Sequence, residues 1–237
     1  MTSDAPQSIL AHIEELRWRI VKIGIAVIVG AIVAFFFANG LRDILEAPFR
    51  EAVPENQLQA LKVAEEWGVL MRITMFGGVI LASPVILYQI WAFINPALTQ
   101  RERKWAIPVV SALVVLFVGG VLFGYLVLPR GLAFLLGIFD NVENNLLIGE
   151  YYSFVLRFLL GFGLAFLYPV FLFAVAAAGV VSSAQLARGR RWAVLLVVVA
   201  AALITPTGDI PNLLILAVPL YLMYEIVYWL VRLLLKK

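Results

Sequence analysis

The stretch IVKIGIAVIVGAIVAFFFA at residues 20–38 constrains this chain most, because it holds nineteen residues with a single charge, Lys22. A helix rises 1.5 Å per residue and a bilayer's hydrocarbon core is about 30 Å thick, so about 20 such residues cross it. Five more apolar runs follow, at about 69–94, 105–128, 152–180, 192–204 and 212–230. The whole chain is 63% hydrophobic and 14% charged, with a mean hydropathy of +0.99. A soluble domain of this size is nearer half apolar and a quarter charged. The expectation is an all-α membrane protein of six transmembrane helices forming one integral membrane domain over residues 1–237. The first run is too long for the apolar part of a cleavable signal peptide.

The fifth run offers only about 20 Å of helix and the sixth is also short. TPTGDIP joins them as a tight turn. Such a hairpin thins the bilayer or stops short of one face. Segments 39–68 and 129–151 read as loops lying over the outer face, the first as short amphipathic helices interrupted by Pro48 and Pro54.

Orientation follows from the bases. With the N-terminus inside, the inner segments carry twelve bases (Arg17, Arg19, Lys22, Arg101, Arg103, Lys104, Arg188, Arg190, Arg191, Arg232, Lys236, Lys237). The outer segments carry four: Arg42, Arg50, Lys62 and Arg130. The positive-inside rule then puts both termini in the cytoplasm. Inner acids are few: Asp4, Glu14, Glu15, Glu102 and Glu225. Topology does not call for Glu14, Glu15 and Glu102, which stand among bases at the inner ends of helices.

Charges at membrane depth are costly and usually functional. Arg72 and Arg157 read as snorkelling to the interface. Glu225 is open between pairing with a base, snorkelling and facing a polar groove. Gln89, Thr74, Ser83 and Ser111 read as helix–helix hydrogen-bonding groups. No file of carboxylates crosses the bilayer, which argues against a proton pump, an ion-coupled carrier or a cation channel. With no cysteine and one histidine, His12, the chain offers no disulfide, no metal site and no nucleophile with a base, so neither catalysis nor a cofactor is expected. Nucleic acid is not an expected partner either, since the bases sit in topology clusters. Pro84, Pro108, Pro169 and Pro219, with the small-residue runs FGGVILAS, GGVLFG and GFGLAF, point to bent, closely packed helices around a concave scaffold. A rigid concave scaffold with an acidic inner feature reads as a receptor. The alternative is a six-helix secondary transporter for a small solute, which needs a midplane polar site.

Four stretches are similar to one family. HIEELRWRI resembles the amino-terminal signature of the TatC family, the multispan receptor subunit of the twin-arginine protein translocase. SPVILYQIWAFINPALTQRERK (83–104) resembles its second helix and first cytoplasmic loop. SFVLRFLLGFGLAFLYPV (153–170) and ALITPTGDIPNLLILAVPLYLMYE (202–225) resemble its fourth helix and its last hairpin. The resemblance runs in order from about residue 8 to 230. It implies a protein of a bacterial or archaeal cytoplasmic membrane that binds signal peptides bearing two consecutive arginines. Partners of the TatA and TatB type, a homo-oligomer within a larger complex, and export of folded proteins on the proton-motive force are implied with it. It assigns signal-peptide binding to Glu15 and Glu102, with Leu98 beside them; Arg17 and Arg103 are local bases suited to holding the carboxylates between signal peptides. It assigns docking of a partner helix to Thr205, Pro206, Asp209 and Tyr168, and a structural role in the outer cap to Pro48. Many relatives carry a glutamate in the fourth helix where Leu167 stands here.

The residues themselves leave a second explanation open. Arginine's planar fork pairs bidentately with carboxylate, so two neighbouring arginines need two nearby acids. Yet Glu15 and Arg19 are also an i,i+4 pair, which stabilises a helix by about 0.2–0.5 kcal/mol without any ligand. Glu102 between Arg101 and Arg103 fits simple solvation. The resemblance favours a binding role for Glu15 and Glu102 and leaves Glu14 as a neighbour on the helix.

Overall fold

A computed structural model describes residues 9–54, 58–62, 64–94, 103–136, 146–177, 179–204 and 210–235. The elements are α1 (Ile9–Phe36), α2 (Ala38–Ala52), α3 (Glu65–Ile94), α4 (Arg103–Leu136), α5 (Ile148–Ala165), α6 (Tyr168–Ala177), α7 (Ser183–Ile204) and α8 (Ile210–Leu230). A π-helical turn, Val231–Leu235, continues α8. Among the described residues there is no strand, only an isolated parallel bridge between Gln59 and Leu147. The fold is all-α, as expected.

Five stretches are long and apolar enough to cross a membrane: Ile13–Phe36, Glu65–Phe93, Ile107–Leu136, Ile148–Ala177 and Leu213–Leu233. Ile25, Ile28 and Ile32 of α1 are more than half exposed, as lipid-facing residues are. The remaining expected crossing is α7. Its opening turns carry Arg188, Arg190 and Arg191, so its apolar part is confined to residues 192–204. The fourth crossing is two helices. Pro169 has no N–H to give the carbonyl of Ala165, and the chain turns at Phe166 and Leu167 before α6 begins.

Two expectations about the loops change. Pro48 does not interrupt its segment but lies inside α2. A proline there leaves the carbonyl of Ile44, four residues back, without its helical donor. The Tyr125 hydroxyl donates to that carbonyl at 2.9 Å, so the cost of the proline is met by a side chain from α4. The segment after residue 128 does not open as a loop either, because α4 runs through Pro129 to Leu136. Its apolar GLAFLL sequence is simply the last part of a helix.

The chain groups into two compact units. The first comprises Met1–Leu41 and Leu70–Val114. Here α1 and α3 touch backbone to backbone. A Cβ placed on Gly30 would lie 2.6 Å from the carbonyl oxygen of Gly78, and one on Gly78 would lie 2.6 Å from the nitrogen of Ala31. Without a hydrophobic force between helices in lipid, such small-residue crossings carry the packing. Of the mild polar residues on α3, Gln89 bonds across to α1. Thr74 instead donates to Met71 of its own helix at 3.0 Å, and the buried Ser83 hydroxyl has no partner among the described residues. The helix–helix reading therefore holds for Gln89 and fails for the other two.

The second unit comprises Arg42–Val69 and Val115–Lys237. Its α4–α5 seam sets Gly120 and Gly124 against Phe162 and Phe166. Phe123 packs on Phe162 and Phe166 at 6.0 and 5.5 Å between ring centroids. Next to that seam α2 is clamped to α5. Tyr151 donates to the carbonyl of Leu45 at 2.6 Å and Tyr152 to Glu46 at 2.8 Å. Glu46 also accepts from Arg42 at 2.8 Å and Arg50 at 2.9 Å. Burial pushes the Glu46 carboxyl up, but the hydrogen bonds from Arg42, Tyr152 and Arg50 outweigh it and hold it below the ordinary glutamate value.

These contacts make two predictions. Gly78→Val should separate α1 from α3 and lower the thermal midpoint in detergent by several degrees. Gly24→Ala, where a Cβ meets nothing within 4 Å, should leave it unchanged or slightly raised. A depressed pKa means that Glu46 contributes stability above the ordinary glutamate value of ~4.3 and loses it as pH falls through its folded value. Glu46→Gln should therefore destabilise at pH 7 by on the order of 1 kcal/mol. The gap to wild type should close on acidification below about pH 4, read as thermal midpoint against pH.

Candidate functional site

Within the first unit, the early turns of α1 lie beside the last turns of α3. Glu15 and Arg19 share a face of α1, being one turn apart. Arg19 donates to Glu15 Oε1 through Nε at 2.9 Å and Nη2 at 2.5 Å. The i,i+4 pair expected from spacing is present, but it does not stop there. Arg19 Nη1 reaches Gln89 Oε1 at 3.1 Å, and Nη2 reaches the Ala92 carbonyl at 3.3 Å. Ala92 lies among the last four residues of α3, whose carbonyls have no helical donor. One guanidinium thus joins a carboxylate, a buried amide and a helix C-terminus. A surface pair makes no such connections, and Arg19's side chain is only 19% exposed.

Around these groups lies an open cavity of about 500 Å³, lined by Glu15, Trp18, Arg19, Lys22, Tyr88, Gln89 and Ala92. Trp18 and Tyr88 are 58% and 49% exposed. The arrangement suits a cationic, planar group. The carboxylate already binds a guanidinium, and the flanking rings offer π faces on which such a plane stacks.

Of the expected signal-peptide residues, the structure sets Glu15 in this cavity. Arg17 is exposed and does not line it. Glu102 and Leu98 lie outside the described residues, and Arg103 opens α4 with its side chain outside them. From the sequence, Arg19 reads as a topology signal and a helix partner of Glu15, Lys22 as a topology signal and Gln89 as helix glue, while Tyr88 carries no expectation. The available signal was a glutamine and a tyrosine side by side in the apolar stretch that ends α3.

Of the expected docking residues, Thr205, Pro206 and Asp209 lie outside the described residues. Tyr168 is half-buried at the start of α6 and donates its hydroxyl to the carbonyl of Leu220 on α8. Pro48 is buried within α2. Glu225, whose role the sequence left open, pairs with a base. Arg190 Nε and Nη2 each reach it at 2.8 Å, and Tyr221 donates to it at 2.9 Å. The Arg190 guanidinium also stands 4.6 Å from the centre of the Tyr228 ring. Among the described residues no group of histidines, cysteines or acids has the makings of a metal site.

Residues 11–219 match the family described as TatC, Sec-independent protein translocase protein. The chain is 39% identical over 230 residues to the Sec-independent protein translocase protein TatC of Aquifex aeolicus (strain VF5), covering 95% of each. It is 35% identical to the Sec-independent protein translocase protein TatCy of Bacillus subtilis (strain 168), covering 92% of this chain and 86% of that one. Among solved structures it is similar to a crystal structure of the twin arginine translocase receptor TatC in DDM, with a TM-score of 0.79 and 38% identity over 94% of this chain and all of that one.

If Arg19 holds the two helix ends together, Arg19 and Gln89 should be coupled. A double-mutant cycle of Arg19→Met and Gln89→Leu, read by thermal unfolding in detergent, should give an interaction of about 0.5–1.5 kcal/mol. Additive effects would show that the 3.1 Å contact carries no stability.

Proposed function

Because this chain belongs to the TatC family of Sec-independent protein translocase proteins, we propose that its Glu15 cavity receives an arginine of twin-arginine signal peptides. The protein is a multi-pass membrane component of that translocase and works with other Tat components; it is not an enzyme. The small-solute carrier falls with this assignment. The observation that carries the proposal is that Glu15 already accepts two N–H groups of one guanidinium in an open cavity.

In this reading Arg19 holds the place that the peptide's arginine takes. Exchange leaves the carboxylate paired throughout, because one guanidinium replaces another on it. Arg19 keeps acceptors of its own in Gln89 and Ala92 once displaced. The peptide's guanidinium would gain Trp18 and Tyr88 as stacking faces, which a lysine ammonium uses less well. Glu102 would take the second arginine, with Leu98, Arg103 and Arg17 around it. Thr205, Pro206, Asp209 and Tyr168 would receive a single-span partner of the TatA or TatB type. The site would face the cytoplasm of a bacterial or archaeal cell, with both termini inside, as the distribution of bases indicates. Transport of folded precursors would draw on the proton-motive force.

The experiment is photocrosslinking of an Arg-Arg precursor and a Lys-Lys control to the full-length protein in membranes. Glu15→Lys and Glu102→Lys should each abolish the Arg-Arg signal while the protein still inserts. Arg19→Gln should spare crosslinking or strengthen it, since it removes the competitor. Undiminished crosslinking to both Glu variants would overturn the site.

A further inference from the structure

We infer that α5 carries a binding site for the headgroup of a zwitterionic phospholipid, held between Arg157 and Glu150. Both residues line a second cavity, of about 410 Å³. This volume falls within the range of small-molecule sites.

Arg157 lies nine residues past the start of α5 at Ile148, within the apolar stretch Ile148–Ala177. That is about 14 Å along the helix. The stretch is two helices, α5 of 18 residues and α6 of 10, about 42 Å of helix along its bent path against a hydrocarbon thickness of about 30 Å. Its first turns therefore stand in the headgroup region, and Arg157 starts just below it. Helical side chains lean toward the N-terminus. The guanidinium consequently rises toward the level of lipid phosphates at whichever face α5 begins.

Simple snorkelling into water accounts for the stem but not for the surroundings. Arg157 is exposed yet has no hydrogen bond or ion pair among the described residues. Glu150, two turns earlier on the same face, is likewise exposed and does not reach Arg157. Two opposite charges thus face one cavity without meeting, the cation deeper and the anion nearer the membrane surface. A zwitterionic phospholipid has the complementary order, with phosphate deeper and ammonium outward. The Arg157 fork suits phosphate oxygens. The Glu150 carboxylate suits a primary ammonium, which donates hydrogen bonds that a trimethylated one cannot. Below the charges, Phe154, Phe158 and the 82%-exposed Leu203 of α7 give an apolar wall for an acyl chain. The favoured ligand is therefore phosphatidylethanolamine over its choline and glycerol counterparts.

The test is native mass spectrometry of delipidated full-length protein in detergent. It is titrated with palmitoyl-oleoyl phosphatidylethanolamine, phosphatidylcholine or phosphatidylglycerol. Wild type should prefer the ethanolamine lipid. Arg157→Gln should weaken all three by about tenfold, and Arg157→Lys should recover much of that loss by restoring the charge. Glu150→Gln should leave phosphatidylglycerol binding intact and remove the preference for ethanolamine. Thermal unfolding without lipid separates these effects from misfolding. Unchanged lipid binding in Arg157→Gln, or an unchanged headgroup preference in Glu150→Gln, would overturn the inference. A photocrosslinker at position 154 that captures a partner's transmembrane helix in place of lipid would overturn it too.

Discussion

Where α1 meets α3 at Gly30 and Gly78, the two backbones are in contact, and the candidate receptor site depends on that. Lipid tails are as apolar as leucine, so the helices gain nothing by hiding side chains from them. They gain by close approach, and close approach needs residues without a Cβ. With the two axes fixed, the early turns of α1 arrive beside the last turns of α3. Arg19 can then span Glu15, Gln89 and the Ala92 carbonyl at once. Were the helices further apart, Glu15 and Arg19 would be an ordinary exposed pair of small energetic value.

The same trade recurs in the second unit in a different form. Pro48 withdraws a donor from the Ile44 carbonyl, and Tyr125 supplies one. The neighbouring carbonyl, of Leu45, is taken by Tyr151, whose ring stacks edge-on against Phe49 at 5.3 Å. Buried backbone carbonyls need donors, and here they are found on the helices the segment must be fastened to. A proline that sequence reasoning read as a break instead exposes an acceptor to a neighbour. No local rule contains that outcome, because the compensating tyrosine lies 81 residues from Ile44.

Five of the six expected crossings were legible because the bilayer admits few solutions: an apolar run of sufficient length becomes a helix. Their ends were less legible, since α4 continues through Pro129 and α7 begins in polar residues. At the site, Glu15 stood out as an acid that topology did not require, and the structure gives it a cavity. Arg19 did not stand out, because a base beside a membrane helix already has an explanation. Only the Gln89 and Ala92 contacts separate it from its neighbours, and those join positions 70 and 73 residues apart. The mirror case is Glu225. Its sequence position allowed three roles, and the bidentate bond to Arg190 selects one.

Leu167 stands where the resemblance to the family implies an acid. It is 6% exposed, in the turn that Pro169 forces between α5 and α6. An ionised carboxylate buried there would require a partner. The adjacent Tyr168 hydroxyl is the closest polar group in sequence, and it is spent on the Leu220 carbonyl. A leucine at this break leaves no charge to neutralise, and the tyrosine fastens α6 to α8. Polar contact between this crossing and a partner helix must then come from displacing the Tyr168 bond or from another turn of α5. Glu150 and Arg157 are charged side chains of α5 that no residue of the described chain engages. That leaves them available to whatever surrounds the helix.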